Sequence, residues 1–166
     1  MRNVHMILFV TMALIHTSCL STLLGTKETR SRDYKMPLPG PGWEAIDPAE
    51  SDAAYRNSVD KAILNVSSQC GGERYRALED LSEDVLKQLP ENTIKAPAKA
   101  QTIGGHPGLV TAAEGMVDGE PLNVQIAVIR TPTCIYDIIL AGRSLDQTSR
   151  AAFDQALAGF SDGSKQ

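Results

Sequence analysis

The sequence is poor in the residues from which most catalytic and metal sites are built. It contains three histidines, three cysteines and one tryptophan, and aromatic residues make up 5% of its 166 positions. Zinc sites favour clusters of Cys and His, but His106 is the one histidine that follows the first 18 residues. The chain also has no GxSxG nucleophile motif and no Gly-Lys-Ser/Thr phosphate loop. We therefore predict no catalytic residue, no metal and no cofactor.

Positive charge is also in short supply. Lys and Arg number 16 against 20 Asp and Glu, which gives a formal net charge of -4 and a pI of about 5.3. Nucleic-acid binding needs a basic face, and the chain has no run of like charges, so we exclude nucleic acid as a partner. Hydrophobic residues make up 42% of the chain, which is enough for the core of one domain.

The N-terminus has the pattern of an export signal. Arg2 precedes an apolar run over residues 6–15 that only Thr11 interrupts. As a helix, this run would rise about 15 Å, half of the ~30 Å hydrocarbon core of a bilayer. A charged start, a short apolar run and then small residues are typical of a secretory signal.

A cysteine stands directly after the signal. Thr17, Ser18 and Cys19 resemble the lipobox of bacterial lipoproteins, although His16 stands where leucine is usual. The resemblance implies cleavage before Cys19, acyl chains such as palmitate on its thiol, and attachment to the membrane. By analogy with lipoprotein sorting, Leu20 implies the outer membrane, with the protein facing the periplasm. An ordinary secretory signal and an uncleaved amphipathic anchor remain as alternatives.

The chain divides into four segments. We predict a lipoprotein signal peptide over residues 1–18, and a lipidated cysteine with a proline-rich tether over residues 19–42. The tether ends in PLPGPG, and because proline fixes φ this piece should be extended and stiff. An α+β domain follows over residues 43–160, and residues 161–166 form a polar tail.

The periodicity of apolar residues predicts the elements of this domain. Spacings of three or four residues indicate helices, and alternation indicates strands. Ser144 and Gln147 fit a capping box at the start of the last helix, and the strand over residues 134–141 is apolar on both faces, which predicts a central position. We expect a mostly antiparallel sheet of about five to six strands with two helices packed on it. The predicted strands are 43–46, 58–70, 94–103, 108–117, 121–131 and 134–141, and the predicted helices are 73–89 and 145–160.

This order of elements resembles the PsbP-like and DcrB-like fold of small exported lipoproteins. The resemblance rests on Gly-Trp-Glu at residues 42–44, Gly-Met-Val-Asp-Gly at 115–119 and Cys-Ile-Tyr-Asp at 134–137. Phe153 and Phe160 in the closing helix complete it. Proteins of this fold are mostly non-catalytic accessory or binding proteins, so the resemblance implies a role of that kind.

Two cysteines remain if Cys19 carries lipid. Cys70 ends one predicted strand and Cys134 begins another. Exported proteins can form disulfides, and the even number of remaining cysteines suggests a pair. We therefore expect a Cys70–Cys134 disulfide. Two buried free thiols are the alternative.

Little in the domain indicates a specific activity. Trp43 and His106 are candidate partner-binding residues, although a core aromatic and a turn between strands explain them as well. The favoured function is a membrane-anchored, non-enzymatic lipoprotein that contacts another envelope protein. A carrier of a small apolar ligand, a spacer, and an envelope hydrolase that uses His106 with a nearby serine and acid are the alternatives.

Overall fold

The structure is a computed structural model that describes residues 30–31 and 33–163. The predicted signal peptide and Cys19 lie outside the described residues. The elements follow one another as strand, strand, strand, 3-10 helix, helix, four strands and helix. Their bounds are β1 Trp43–Ile46, β2 Ala53–Asn57, β3 Ile63–Cys70, 3-10 helix Gly72–Tyr75, α1 Leu78–Lys87, β4 Thr93–Ile103, β5 His106–Val117, β6 Glu120–Arg130, β7 Cys134–Gly142 and α2 Gln147–Ala158.

The strands form one antiparallel sheet in the order β1-β2-β3-β7-β6-β5-β4. The α+β class and the antiparallel sheet were predicted, but the sheet has seven strands rather than five to six. The additional strand is β2, whose short sequence Ala-Ala-Tyr-Arg-Asn has no long apolar run. Residues 58–62, which we assigned to a strand, instead form the turn between β2 and β3, where Lys61 has a φ of 61°.

The two helices cover opposite faces of the sheet. Along β6, alternate residues point to opposite faces, and both faces are apolar. The residues buried between α1 and the sheet are Leu81, Leu86, Ala113, Val124, Ile126, Val128 and Ile135. Those buried on the α2 side include Leu64, Val66, Ala127, Ile129, Tyr136, Ile138, Leu140, Phe153, Leu157 and Phe160. The central position predicted for β7 is confirmed, because it lies between β3 and β6.

The described part of the predicted tether lies against the domain. The Lys35 N–H donates to the Ser161 carbonyl oxygen at 2.7 Å, and the Ser161 N–H donates back at 2.9 Å. The Tyr34 ring packs edge-on against Tyr136, with ring centroids 5.6 Å apart. At Ser31 the backbone N–H donates to the Ser68 hydroxyl at 2.7 Å. We expected the domain to begin at residue 43, whereas the packed segment adds the described residues from 30 onward. We call residues 30–31 and 33–42 the N-terminal strap.

Polar contacts fix the start of α2 against the β2–β3 turn. The cap of this helix is Asp146, which accepts the Ser149 N–H at 2.7 Å, and not Ser144 as predicted. The Asp60 carboxylate accepts the Ser149 hydroxyl at 2.7 Å and the Asp146 N–H at 3.2 Å. Burial raises the pKa of Asp60, but hydrogen bonds from Ala62, Ser149 and Asp146 outweigh it, so the pKa is lowered overall. A tertiary contact therefore selects the cap.

Candidate functional site

The structure brings together one of the predicted residue pairs. Cys70 and Cys134 face each other across β3 and β7 and are joined by the expected disulfide, with Cα atoms 4.0 Å apart. The bond closes a loop with a sequence separation of 64 that holds α1 and strands β4 to β6. Chain entropy gives such a link about 4 kcal/mol of stabilisation. Its role is to hold the fold.

Trp43 and His106 lie apart in the sheet. Trp43 is on β1, at one edge, and its half-buried ring packs against the α2-side core. Its indole nitrogen is enclosed and donates to no described residue. His106 begins β5, next to the opposite edge. Five strand spacings of about 4.8 Å separate β1 from β5, so the two residues do not form one contact site. Their partner-binding roles stay predictions.

His106 faces an acid at the C-terminal end of the described chain. Its Nε2 lies 3.3 Å from the Asp162 carboxylate, whose side chain is 4% exposed. The preceding Gly104 has a φ of 58°, and a Cβ there would collide with the Phe160 carbonyl oxygen. No serine in the described residues hydrogen-bonds to the imidazole. The hydrolase hypothesis needs both a serine and an acid, and here the described contact is the acid alone.

An open groove of about 390 Å³ lies between α1 and β4. We call it the α1–β4 groove. Strand β4 pairs with β5 alone, but its register shifts between Ile94 and Ala96 and again between Ala96 and Lys99. Such bulges lift a strand from its neighbour. Pro97 and Ala98 lie in the shifted stretch and line the groove, together with Leu109 of β5.

The groove combines an apolar lining with two kinds of polar group. At its floor the Ser82 and Thr111 hydroxyl oxygens lie 3.4 Å apart, and both residues are buried. Glu79, Asp80 and Glu83 of α1 form an acidic rim. Apolar walls with a few convergent polar groups are typical of ligand sites. The arrangement suits an apolar ligand or an apolar side chain of a partner.

The groove was missed by the sequence analysis, although one residue signalled it. We assigned residues 94–103 to an ordinary strand. Proline inside a strand is confined to edges and bulges, so Pro97 indicated both features. The sequence did not indicate that α1 would lie beside the bulge, because the pattern of one element does not show how it packs against the next.

A second cavity, of about 660 Å³, lies between the N-terminal strap and the start of β2. We call it the strap cavity. Its strap side includes Arg30, Tyr34 and Lys35, and its sheet side includes Asp52 and Tyr55. Both sides carry charge, so its chemistry differs from that of the α1–β4 groove. Because the strap was predicted to be a free tether, this cavity was outside the sequence analysis.

One carboxyl on a central strand has no partner among the residues that the structure describes. Asp137 of β7 stands on the α1 face, level with Ser67 of β3 and Val128 of β6. Within the described residues it forms no ion pair and no side-chain hydrogen bond. Burial raises its pKa from 3.8 to about 6. A desolvated carboxyl of this kind disfavours its own ionised form.

The described residues contain no group of three or more His, Cys, Asp or Glu that could hold a metal ion. Over the same part of the chain, no helix is long and apolar enough to cross a bilayer.

Comparisons with known proteins show the fold and no more. No protein-family model matches the chain, and no curated protein matches it. Among solved structures, it is similar to LpqN, described as involved in cell envelope biogenesis of Mycobacterium tuberculosis, at 15% identity and a TM-score of 0.58 over 83% of this chain and 86% of that one. It is also similar to a protein of Bacteroides thetaiotaomicron VPI-5482, at 14% identity and a TM-score of 0.55 over 78% of this chain and 45% of that one. This chain therefore shares the fold of LpqN, whereas the resemblance to the PsbP-like and DcrB-like fold stays a prediction.

Proposed function

We propose that this protein is a lipid-anchored, non-enzymatic binding module of the bacterial cell envelope that faces the periplasm. The short signal that ends just before Cys19 supports the anchor. The fold is shared with LpqN, whose description as involved in cell envelope biogenesis agrees with an envelope location. Leu20 after the cysteine favours the outer membrane.

The α1–β4 groove is the observation that carries the binding role. It is open and largely apolar, and it adjoins an edge strand that is exposed over all but its last residue. An apolar ligand, or an apolar side chain of another envelope protein, would leave water on entering it. A purely structural spacer needs no such site. The hydrolase alternative has less support, because His106 has Asp162 as a partner but no described serine.

The anchor is tested by the intact mass of the protein purified from its own membrane. We expect a chain that begins at Cys19 and carries acyl chains. A mass with an unmodified Cys19, or with the signal still attached, would refute the lipid anchor while leaving the groove open to its own test.

The groove is tested by Ala98→Glu, with Ala96→Glu as the matched control. Both alanines are exposed on β4, but Ala98 lines the groove and Ala96 does not. A carboxylate beside an apolar ligand costs roughly 2 kcal/mol or more, which corresponds to at least about a 30-fold loss of affinity. The measurement is titration of the purified protein with the neutral fluorescent probe N-phenyl-1-naphthylamine. A photo-crosslinking residue at each position, in intact cells, tests for a protein partner.

Loss of probe binding in the Ala98 variant alone, or crosslinking from position 98 alone, would support the proposal. The first result assigns a small ligand and the second a protein. If neither measurement distinguishes position 98 from position 96, the groove is not the binding site.

A further inference from the structure

The strap cavity combines charges of both signs in one space. Asp52 lies on its sheet side, and its side chain is 7% exposed. One carboxylate oxygen lies 3.4 Å from the Arg30 guanidinium, and the other receives no hydrogen bond from the described residues. A desolvated carboxylate with an incomplete set of donors is costly, and it favours any additional donor that reaches it.

The strap side of the cavity is cationic. Arg30 is 46% exposed and Lys35 is exposed, and no described carboxylate pairs with the Lys35 ammonium. The Lys35 backbone is fixed by its two hydrogen bonds to Ser161. The cavity therefore has two cations on its rim and one carboxylate deeper on the sheet side. These charges are complementary to those of a small molecule with an anionic end and a cationic end.

Two phenol rings form walls between these charges. Burial, and then the negative charge of Asp52, raise the pKa of Tyr34 to about 12. Its hydroxyl therefore remains a neutral hydrogen-bond donor at every physiological pH. Tyr55 of β2 and Met36 of the strap add apolar surface. Aromatic faces next to a carboxylate are favourable surroundings for an ammonium group.

The cavity lies near the start of the strap, so its place relative to the membrane rests on the proposed function. The strap begins at Arg30, which lines the cavity. If Cys19 is lipidated, the chain between these two residues spans at most about 40 Å. The end of the domain with the strap cavity is then tethered within about 40 Å of the lipid headgroups.

We propose that the strap cavity binds a small zwitterion with a phosphate and a primary ammonium, the chemistry of the phosphoethanolamine headgroup. Arg30 and Lys35 bind the phosphate, and Asp52 accepts hydrogen bonds from the ammonium. Free phosphoethanolamine carries the same two groups, so the experiment separates a lipid source from a soluble one.

The experiment uses the mature chain with Cys19→Ser, so that association with membranes does not depend on its own acyl chains. Sedimentation with phosphatidylcholine vesicles that contain phosphatidylethanolamine, phosphatidylglycerol or neither measures headgroup preference. We expect the strongest binding with phosphatidylethanolamine, because the quaternary ammonium of phosphatidylcholine has no N–H donor and phosphatidylglycerol has no ammonium. Calorimetry with free phosphoethanolamine forms the soluble arm.

Three variants test the residue assignments. Lys35→Gln should weaken binding to phosphatidylethanolamine and to phosphatidylglycerol by roughly tenfold, because a charge-assisted contact to the phosphate is lost. Asp52→Asn should lower the binding of phosphatidylethanolamine and raise that of phosphatidylglycerol, a change of opposite signs that misfolding does not produce. Lys99→Gln, an exposed lysine on β4, is the control and should bind as the parent does.

Equal binding to all three vesicles together with no binding of free phosphoethanolamine, or an Asp52→Asn variant with an unchanged preference, would overturn the proposal. Binding of free phosphoethanolamine with no preference among vesicles would assign a soluble zwitterion and reject the membrane source. Since the assay uses Cys19→Ser, an unlipidated Cys19 in the native protein would contradict the proposed anchor without deciding this result.

Discussion

Asp137 offers the sharpest test of the energetics of this fold, because its carboxyl lies on a central strand and pairs with no described residue. Burial raises its pKa from 3.8 to about 6. Between these two values the folded state holds a proton that the unfolded state has released, so stability falls as pH rises through this range. Above about pH 6 both states are ionised, and the folded state retains the full cost of the buried charge.

The magnitude follows from the size of the shift. A difference of about two pKa units corresponds to about 3 kcal/mol at most, and partial exposure of the side chain reduces this to about 1–3 kcal/mol. Asp137→Asn has nearly the same shape but no charge. We therefore expect it to stabilise the protein by that amount at pH 7.5, and by much less at pH 4.5, where most Asp137 carboxyls in the folded state are already protonated.

The assay is urea unfolding of the parent and the variant at both pH values, with the disulfide intact. Asp154→Asn, on the exposed side of α2, is the control and should change stability by less than about 0.5 kcal/mol. Other carboxyls shift the pH dependence of both proteins equally, so the difference between them isolates Asp137. A variant that is less stable at pH 7.5, or whose difference from the parent is the same at both pH values, would refute the reasoning.

Three further predictions concern the disulfide, the α2 contact and the histidine. Replacing Cys70 and Cys134 by alanine should lower the free energy of unfolding by about 4 kcal/mol; a urea midpoint equal to that of the oxidised parent would contradict this. Asp60→Ala should cost about 1–3 kcal/mol, because buried donors at the start of α2 lose their acceptor, and an unchanged thermal midpoint would show that the contact is dispensable. If the groove carries the function, His106→Ala should rescue a deletion strain as fully as the parent gene; failure to rescue by a stably folded variant would support a role for His106 in partner binding or in hydrolysis.

The sequence predicted the position of an element correctly where the residues of that element alone determine its surroundings. Ile135, Ile138 and Leu140 make β7 apolar on both parities, which predicted its central position. The prediction failed where the deciding partner is distant in the chain. Asp60 makes Asp146 the cap of α2, although Ser144 fits the local motif equally well. Strand β2 carries too little apolar pattern to be recognised without β1 and β3 beside it.

The candidate sites show the same limit more strongly. Pro97 marks a bulge, but the groove exists only because α1 packs beside it. The strap cavity depends on the docking of the strap, whose prolines predict an extended chain whether it is free or docked. A cavity forms between two elements that pack together, whereas the periodicity of apolar residues describes one face of one element.

The way the strap is fastened has a mechanical consequence. Its backbone is held by the reciprocal hydrogen bonds between Lys35 and Ser161, beside the packed Tyr34 ring. A force applied at residue 30 therefore loads these contacts before it reaches the hydrogen bonds of the sheet. If the strap undocks, it becomes a free segment that spans at most about 40 Å, while the disulfide keeps β3 and β7 joined. Such undocking would lengthen the link between residue 30 and the sheet without breaking any strand pairing.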